Sequence, residues 1–198
     1  NAVDDTIVQQ IRKIYASEKR VLWMYLWHSW KSKGIDNLLE ALPDIFQYHS
    51  DLTIFINIIP AQRDDYIKKK IKDTWYKDSI IPFYGMVKKD LIHKVAAVDF
   101  VIVPSISEWF GMVPSEASNL GVPLVASQVA SIPEVTSWYV VWIKPGDKNS
   151  LVQWVRKMTK AIKKDDYSDI TYIPAKNFSW ASTVDKIEQL LYSLNSKD

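Results

Sequence analysis

Between Val103 and Gly121 the chain reads Val-Pro-Ser-Ile-Ser-Glu-Trp-Phe-Gly-Met-Val-Pro-Ser-Glu-Ala-Ser-Asn-Leu-Gly, which places two carboxylates, Glu108 and Glu116, on either side of one glycine. A short apolar run ends at Pro104, a polar loop follows, and the pattern predicts a helix starting near Ser115. Strand, loop and helix N-terminus in that order form the usual seat of an anionic ligand in an α/β sheet, because unpaired N–H groups and the helix dipole point at the loop. Gly111 lets the backbone approach such a ligand closely, and Phe110 beside it is a buriable aromatic. Glu108 falls at the carboxyl end of the strand. Glu116 falls in the first helical turn, where the dipole favours a carboxylate. Most glutamates are solvated, but the apolar flanks and the glycine loop argue here for a site. It would suit hydroxyl groups on a ligand whose phosphates take the backbone amides.

The elements that must position these residues alternate along the chain. Ile7, Ile11 and Ile14 recur at helical spacing after Thr6, an expected N-cap. Val21 to Trp27 is an unbroken apolar run, as expected of a strand covered on both faces. Gly34 opens a helix with Leu38, Leu39, Leu42, Ile45 and Phe46 on one side. Strands follow at Leu52 to Ile59, Ile80 to Tyr84, Asp99 to Val103, Pro123 to Ala126 and Tyr139 to Ile143. Helices are expected at Arg63 to Trp75, Lys88 to Ala97 and Leu151 to Lys164, then a loose polar segment to Ala175. A last helix spans Ser182 to Leu194, with Ile187, Leu190, Leu191 and Leu194 facing inward. This alternation predicts an α/β fold, a Rossmann-like parallel sheet flanked by helices with right-handed crossovers.

Composition narrows the function classes. A chain of 198 residues holds one such domain and not two. Nine Trp and ten Tyr supply large rings for a core or a partner interface. The absence of cysteine excludes disulfides and thiolate metal sites and permits a cytoplasmic setting. A net charge of +2 is too weak to imply nucleic acid, and no platform of basic and aromatic residues is evident. His49 and His93 sit on helix patterns among polar residues, without metal-ligand spacing. Lys68, Lys69, Lys70 and Lys72, with Lys163 and Lys164, read as solvated helix surface, with contact to anionic lipid as a minor alternative.

From Pro104 to Ala126 the pattern Pro-Ser-x-x-Glu-x-Phe-Gly-x-x-x-x-Glu-Ala-x-x-x-Gly-x-Pro-x-x-Ala resembles the donor-binding motif of retaining nucleotide-sugar glycosyltransferases with the GT-B fold. These are the group 1 enzymes, glycogen-synthase-like and mannosyltransferase-like, and the likeness extends over nearly the whole chain. It implies that residues 1–198 form the C-terminal, nucleotide-sugar (donor) binding half of such an enzyme. The opening Asn1 to Asp4 is similar to the family's entry into that half, so the N-terminal acceptor domain is expected to be absent from this chain, which alone would turn over little.

The resemblance also implies roles. The glutamate matching Glu108 lies by the donor sugar and the reacting centre, and that matching Glu116 binds the ribose hydroxyls. Lys33-Gly34 match a phosphate clamp, which makes Lys33 catalytic as well as donor-binding. The family's preceding Gly-Arg is replaced by Trp27-His28, so His28 stands where an arginine would neutralise the diphosphate, and Lys31 is close enough to supply charge. Phe110, Gly111, Met112 and Val113 would offer amides to the diphosphate or sugar. Phe83 to Val87 resembles the segment against the base, with Val87 at its end. Trp109 is bulky where the family often has a small residue, and either shapes the sugar pocket or fills space against the other domain. No cofactor and no metal are implied, because lysine and helix amides take the metal's place. The expected ligand is a UDP- or GDP-hexose, the expected reaction hexosyl transfer with retention, and the expected location the cytoplasm or the inner face of a membrane. The alternatives are a catalytically weak or inactive nucleotide-sugar binding module and, further off, a sugar-nucleotide epimerase.

Overall fold

The computed structural model describes residues 3–16, 20–26, 31–58, 64–84, 88–175 and 180–195. Strands β1 (Val21–Leu26), β2 (Leu52–Ile58), β3 (Ile80–Tyr84), β4 (Phe100–Val103), β5 (Leu124–Ser127), β6 (Trp138–Ile143) and β7 (Thr171–Ile173) form one sheet in the order β3-β2-β1-β4-β5-β6-β7. The first six are parallel and β7 runs antiparallel at the edge. Helices α1 (Asp5–Tyr15), α2 (Ile35–Tyr48), α3 (Asp64–Lys72), α4 (Lys88–Ala97), α5 (Met112–Asn119), α6 (Ile132–Val135), α7 (Lys148–Lys164) and α8 (Trp180–Asn195) connect and flank it. The α/β expectation therefore holds, with a sheet of Rossmann type.

Strand β1 lies inside the sheet between β2 and β4 and every residue in it is buried, which is why its sequence shows no polar alternation. Its side chains still divide by the strand period of two. Trp23 and Tyr25 join Leu38, Leu42 and Phe46 of α2 and Leu151 and Val155 of α7 on one face. Leu22, Met24 and Leu26 join Val95 of α4 and Val113 and Ala117 of α5 on the other. Each such fully buried aliphatic contributes about 1.5–3 kcal/mol by leaving water. Ring stacking adds geometry, with Trp23 on Phe100 at 5.6 Å and Phe46 on Tyr76 at 4.8 Å between centroids.

The structure corrects several expectations. The N-cap of α1 is Asp4, not Thr6: its Oδ1 accepts from the Thr6 N–H at 2.9 Å. The segment read as loose and polar contains β7, whose three residues are too few to show a period. It is held by rings, Tyr139 lying 4.7 Å from Tyr167 and 5.4 Å from Tyr172. His93, read among polar residues, is 3% exposed. Helix α4 is covered by the sheet and also by α1, whose Arg12 donates to the Ala97 carbonyl at 2.8 Å and pairs with Asp99 at 3.1 Å. Ile187, Leu190, Leu191 and Leu194 of α8 do not face inward, and each is more than half exposed. Among the described residues the two buried clusters of the core take their helical members from α2, α3 and α7 on one side of the sheet and from α4, α5 and α6 on the other, and none from α8.

Candidate functional site

In a parallel sheet the ligand crevice opens beyond the carboxyl ends of the strands, beside the point where strand order reverses. Here that point lies between β1 and β4, and the loops after these two strands are joined closely. Ser32 accepts through its carbonyl from the N–H groups of Ile106 at 2.8 Å and Ser107 at 3.1 Å. Gly34, the left-handed N-cap of α2 (φ 73°), lies so near that a Cβ built on it would sit 1.9 Å from the Pro104 carbonyl oxygen. Only glycine satisfies both the backbone angle and that approach.

This fixed junction places Lys33 against Glu108. The Lys33 Nζ donates to both carboxylate oxygens at 3.0 Å, and Oε1 also accepts from the Trp109 N–H at 3.0 Å. Glu108 is 7% exposed, so the pair is largely withdrawn from water and its charges interact far more strongly than at a surface. Lys33 ends a 3₁₀ turn, Lys31–Lys33. Its carbonyl accepts from the Tyr25 hydroxyl at 3.3 Å. Burial, and then the charge of Asp36, pushes that hydroxyl far above the usual phenol range, so it stays a donor.

Beyond the pair, Gly111 adopts φ 73° and ψ 53° and caps α5, which begins at Met112. The helix thus starts three residues before Ser115, and Glu116 lies in its second turn rather than its first. Gly111 supplies the left-handed turn early, and Pro114 is tolerated in the first turn because an N–H there has no intrahelical partner anyway. Met112 and Val113 are the first two helical residues, and their N–H groups open toward the loop for the same reason. A Cβ on Gly111 would press on Pro114 and Val135 at 3.1 Å each, so α6 packs directly beneath the cap.

These elements enclose a cleft of about 360 Å³, lined by Glu108, the loop from Trp109 to Val113, Glu116, Leu26, Leu91 and Asn57. The structure therefore brings Glu108, Glu116, Phe110, Gly111, Met112 and Val113 to one cleft, with Lys33 bonded to its carboxylate wall. Trp109 is 95% exposed at the rim, so it fills no interior space, and Phe110, expected to be buriable, is 56% exposed beside it. His28 and Val87 lie outside the described residues, as does Trp27. Asn57 was not picked out from the sequence, although a polar residue inside the apolar run Leu52 to Ile59 was a signal. Ile132-Pro133-Glu134 forms α6 and supports Gly111 from below.

A larger open cleft, about 810 Å³, runs between α2 and α7 and contains none of the motif residues. Arg156, Lys157, Lys160 and Lys164 share its walls with Asp44, Asp166 and Asp169, so its charges are mixed. Size alone does not make it the site. The smaller cleft has the convergent buried polar groups that a ligand site requires. Among the described residues no group of three or more His, Asp or Glu side chains could hold a metal, and no helix is long and apolar enough to cross a membrane.

The sheet order, the switch point and the loop-capped helix define one Rossmann-like half of a GT-B architecture. Solved structures share this fold. A structure of Anabaena HepE in complex with UDP-glucose aligns with a TM-score of 0.71 at 18% identity, covering 96% of this chain and 54% of that one. WaaG, a glycosyltransferase involved in lipopolysaccharide biosynthesis, aligns with a TM-score of 0.63 at 20% identity over 83% of this chain and 46% of its own. The family model for group 1 glycosyl transferases matches residues 8–173, and the chain belongs to that family. Among curated relatives, an uncharacterized glycosyltransferase of Methanocaldococcus jannaschii is 25% identical over 74% of this chain and 38% of its own length. The serotype-specific mannosyltransferase WbdA of Escherichia coli is 25% identical over 84% of this chain and 21% of its own. The chain thus spans well under half the length of these two relatives.

Proposed function

We propose that the chain is the donor-binding half of a retaining glycosyltransferase, and that its cleft takes a nucleoside diphosphate sugar such as a UDP- or GDP-hexose. The observation that carries this reading is the buried Lys33–Glu108 pair beside a glycine-capped helix. A cation, a carboxylate and the first-turn amides of α5 meet at the carboxyl ends of β1 and β4. A diphosphate needs the cation and the amides, and sugar and ribose hydroxyls need the carboxylates. Lys33 is held by Glu108, and an entering diphosphate would compete for it. As the bond from the sugar to the diphosphate breaks, negative charge grows on the leaving oxygen, where a fixed lysine and helix amides stabilise it without a metal. Glu108 then faces the sugar and Glu116 the ribose. The acceptor belongs to a further domain of the enzyme, and this chain alone turns over little.

Calorimetric titration with UDP, GDP, ADP and their sugar conjugates tests the reading, with a Glu116→Ala variant alongside. Saturable binding of one nucleotide, weakened at least about 10-fold by the variant, is expected, since a lost charged hydrogen bond is worth about 1.5–3 kcal/mol. A folded chain that binds no nucleotide contradicts it.

A further inference from the structure

We propose that Asn57 reads the nucleoside end of the ligand, an assignment that rests on the cleft being a nucleoside diphosphate site. Asn57 is the next-to-last residue of β2 and stands in register with Leu26, the last residue of β1. It shares its face of the strand with Phe55, two residues earlier, and lines the cleft with Leu26 and Leu91. The residue is 5% exposed, and its Oδ1 is buried with no hydrogen-bond partner among the described residues.

A buried carboxamide oxygen without a partner is uncommon and costly, because it has given up water for nothing. Phe55 and Leu26 show that an aliphatic or aromatic side chain is accepted on this part of the sheet. The folded chain would thus gain from leucine at position 57 unless something occupies the cleft and completes the carboxamide.

The position in the sheet says which part of the ligand that is. β2 stands two strands from β4, the strand that leads to Glu108. With strands about 4.8 Å apart, Asn57 lies on the order of 10 Å across the sheet from that strand. A ligand whose diphosphate rests on Lys33 and the α5 amides therefore meets Asn57 with its nucleoside. A carboxamide presents both a donor and an acceptor, which matches the paired donor and acceptor edge of a nucleobase. Sites built to hydrogen-bond a polar edge reject analogues lacking it far better than apolar pockets do. Asn57 is thus a specificity-determining residue rather than a catalytic one.

The test compares the chain with its Asn57→Leu and Asn57→Ala variants, titrated with UDP, GDP, ADP and inorganic pyrophosphate while thermal midpoints are recorded. Asn57→Leu is expected to weaken the preferred nucleotide at least 10-fold and to flatten the ratios among the three. Pyrophosphate affinity should stay unchanged, because that ligand has no nucleoside, and the thermal midpoint should stay level or rise. Asn57→Ala adds no bulk and should show the same split if leucine disturbs the strand. Unchanged nucleotide ratios in either folded variant overturn the assignment. So does a parallel loss of pyrophosphate and nucleotide affinity with a lower midpoint, which would mark a packing role. A wild-type chain that binds pyrophosphate but no nucleotide also overturns it. One that binds neither overturns the reading of the cleft itself.

Discussion

Replacing Lys33 by methionine removes one charge from a pair whose members are 11% and 5% exposed at the side chain. Methionine keeps most of the stem, so little packing is lost. Glu108 would remain in the interior with the Trp109 N–H as a donor but without its cation. Removing one partner of a buried ion pair costs about 3–5 kcal/mol, mostly the penalty for the charge left behind. For a domain of this size about 1 kcal/mol lowers the melting temperature by about 2–4 °C, so the variant should melt roughly 6–20 °C lower. Glu108→Gln alone leaves the ammonium with a neutral partner and should cost less. The double variant Lys33→Met/Glu108→Gln leaves no buried charge, and its deficit should be smaller than the sum of the two by about 1–3 kcal/mol. Urea denaturation of the four proteins measures this coupling. Additive effects, or a Lys33→Met variant within about 0.5 kcal/mol of the parent, would show that the pair is solvated and would refute the electrostatic account.

The same reasoning reaches three other places. Gly34→Ala puts a methyl 1.9 Å from the Pro104 carbonyl oxygen. It should destabilise by more than about 3 kcal/mol, or prevent folding, and circular dichroism with denaturation reads the effect. Ser118 Oγ donates to the Ser137 carbonyl at 2.9 Å and accepts from its N–H at 3.0 Å. Ser118→Ala orphans both groups and should cost about 1–3 kcal/mol by the same assay. Burial, then the charge of Lys163 and that of Arg156, lowers the His49 pKa against the opposing pull of Asp51. The unfolded chain then takes up its proton first as pH falls, so stability declines from about pH 7 toward the lowered folded value. His49→Gln should flatten that decline between about pH 7 and 5. Asp51 burial raises its pKa, but the hydrogen bond and charge of Lys163 outweigh it, so that acid's contribution is lost only below its ordinary range and falls outside this window.

Most of the fold is legible in the sequence because β1 and β4 are buried on both faces and so appear as unbroken apolar runs, and β2 as a run broken only at Thr53 and Asn57, between helices with clear stripes. The failures occur where the pattern says little about what is already covered. Apolar residues recur at helical spacing in α8 as in α7, and periodicity cannot tell that only the α7 stripe enters the buried core. Three residues of β7 carry no period, and the rings that hold Tyr172 are contributed from Trp138 and Tyr139 of β6. The pattern points to a start of α5 near Ser115, later than Met112, because the left-handed cap at Gly111 is a backbone feature that the residue pattern does not show. At the site, Glu108, Glu116 and the loop between them form a contiguous motif and could be picked out directly. Lys33 lies 75 positions from Glu108 and reached the site only through its likeness to a family pattern. Asn57 has no motif; its one signal in the sequence is a polar residue within an apolar run, and the structure adds that its Oδ1 is buried with no hydrogen-bond partner among the described residues.

A crystal structure of the chain grown with the nucleoside diphosphate that titrates most tightly tests the central claim directly. The account predicts Lys33 Nζ and the first amides of α5 within about 2.7–3.2 Å of the diphosphate oxygens, with Glu116 beside the ribose and the contact from Lys33 to Glu108 loosened. A nucleotide seated elsewhere, such as the cleft between α2 and α7, with the Lys33–Glu108 pair still closed, would contradict it.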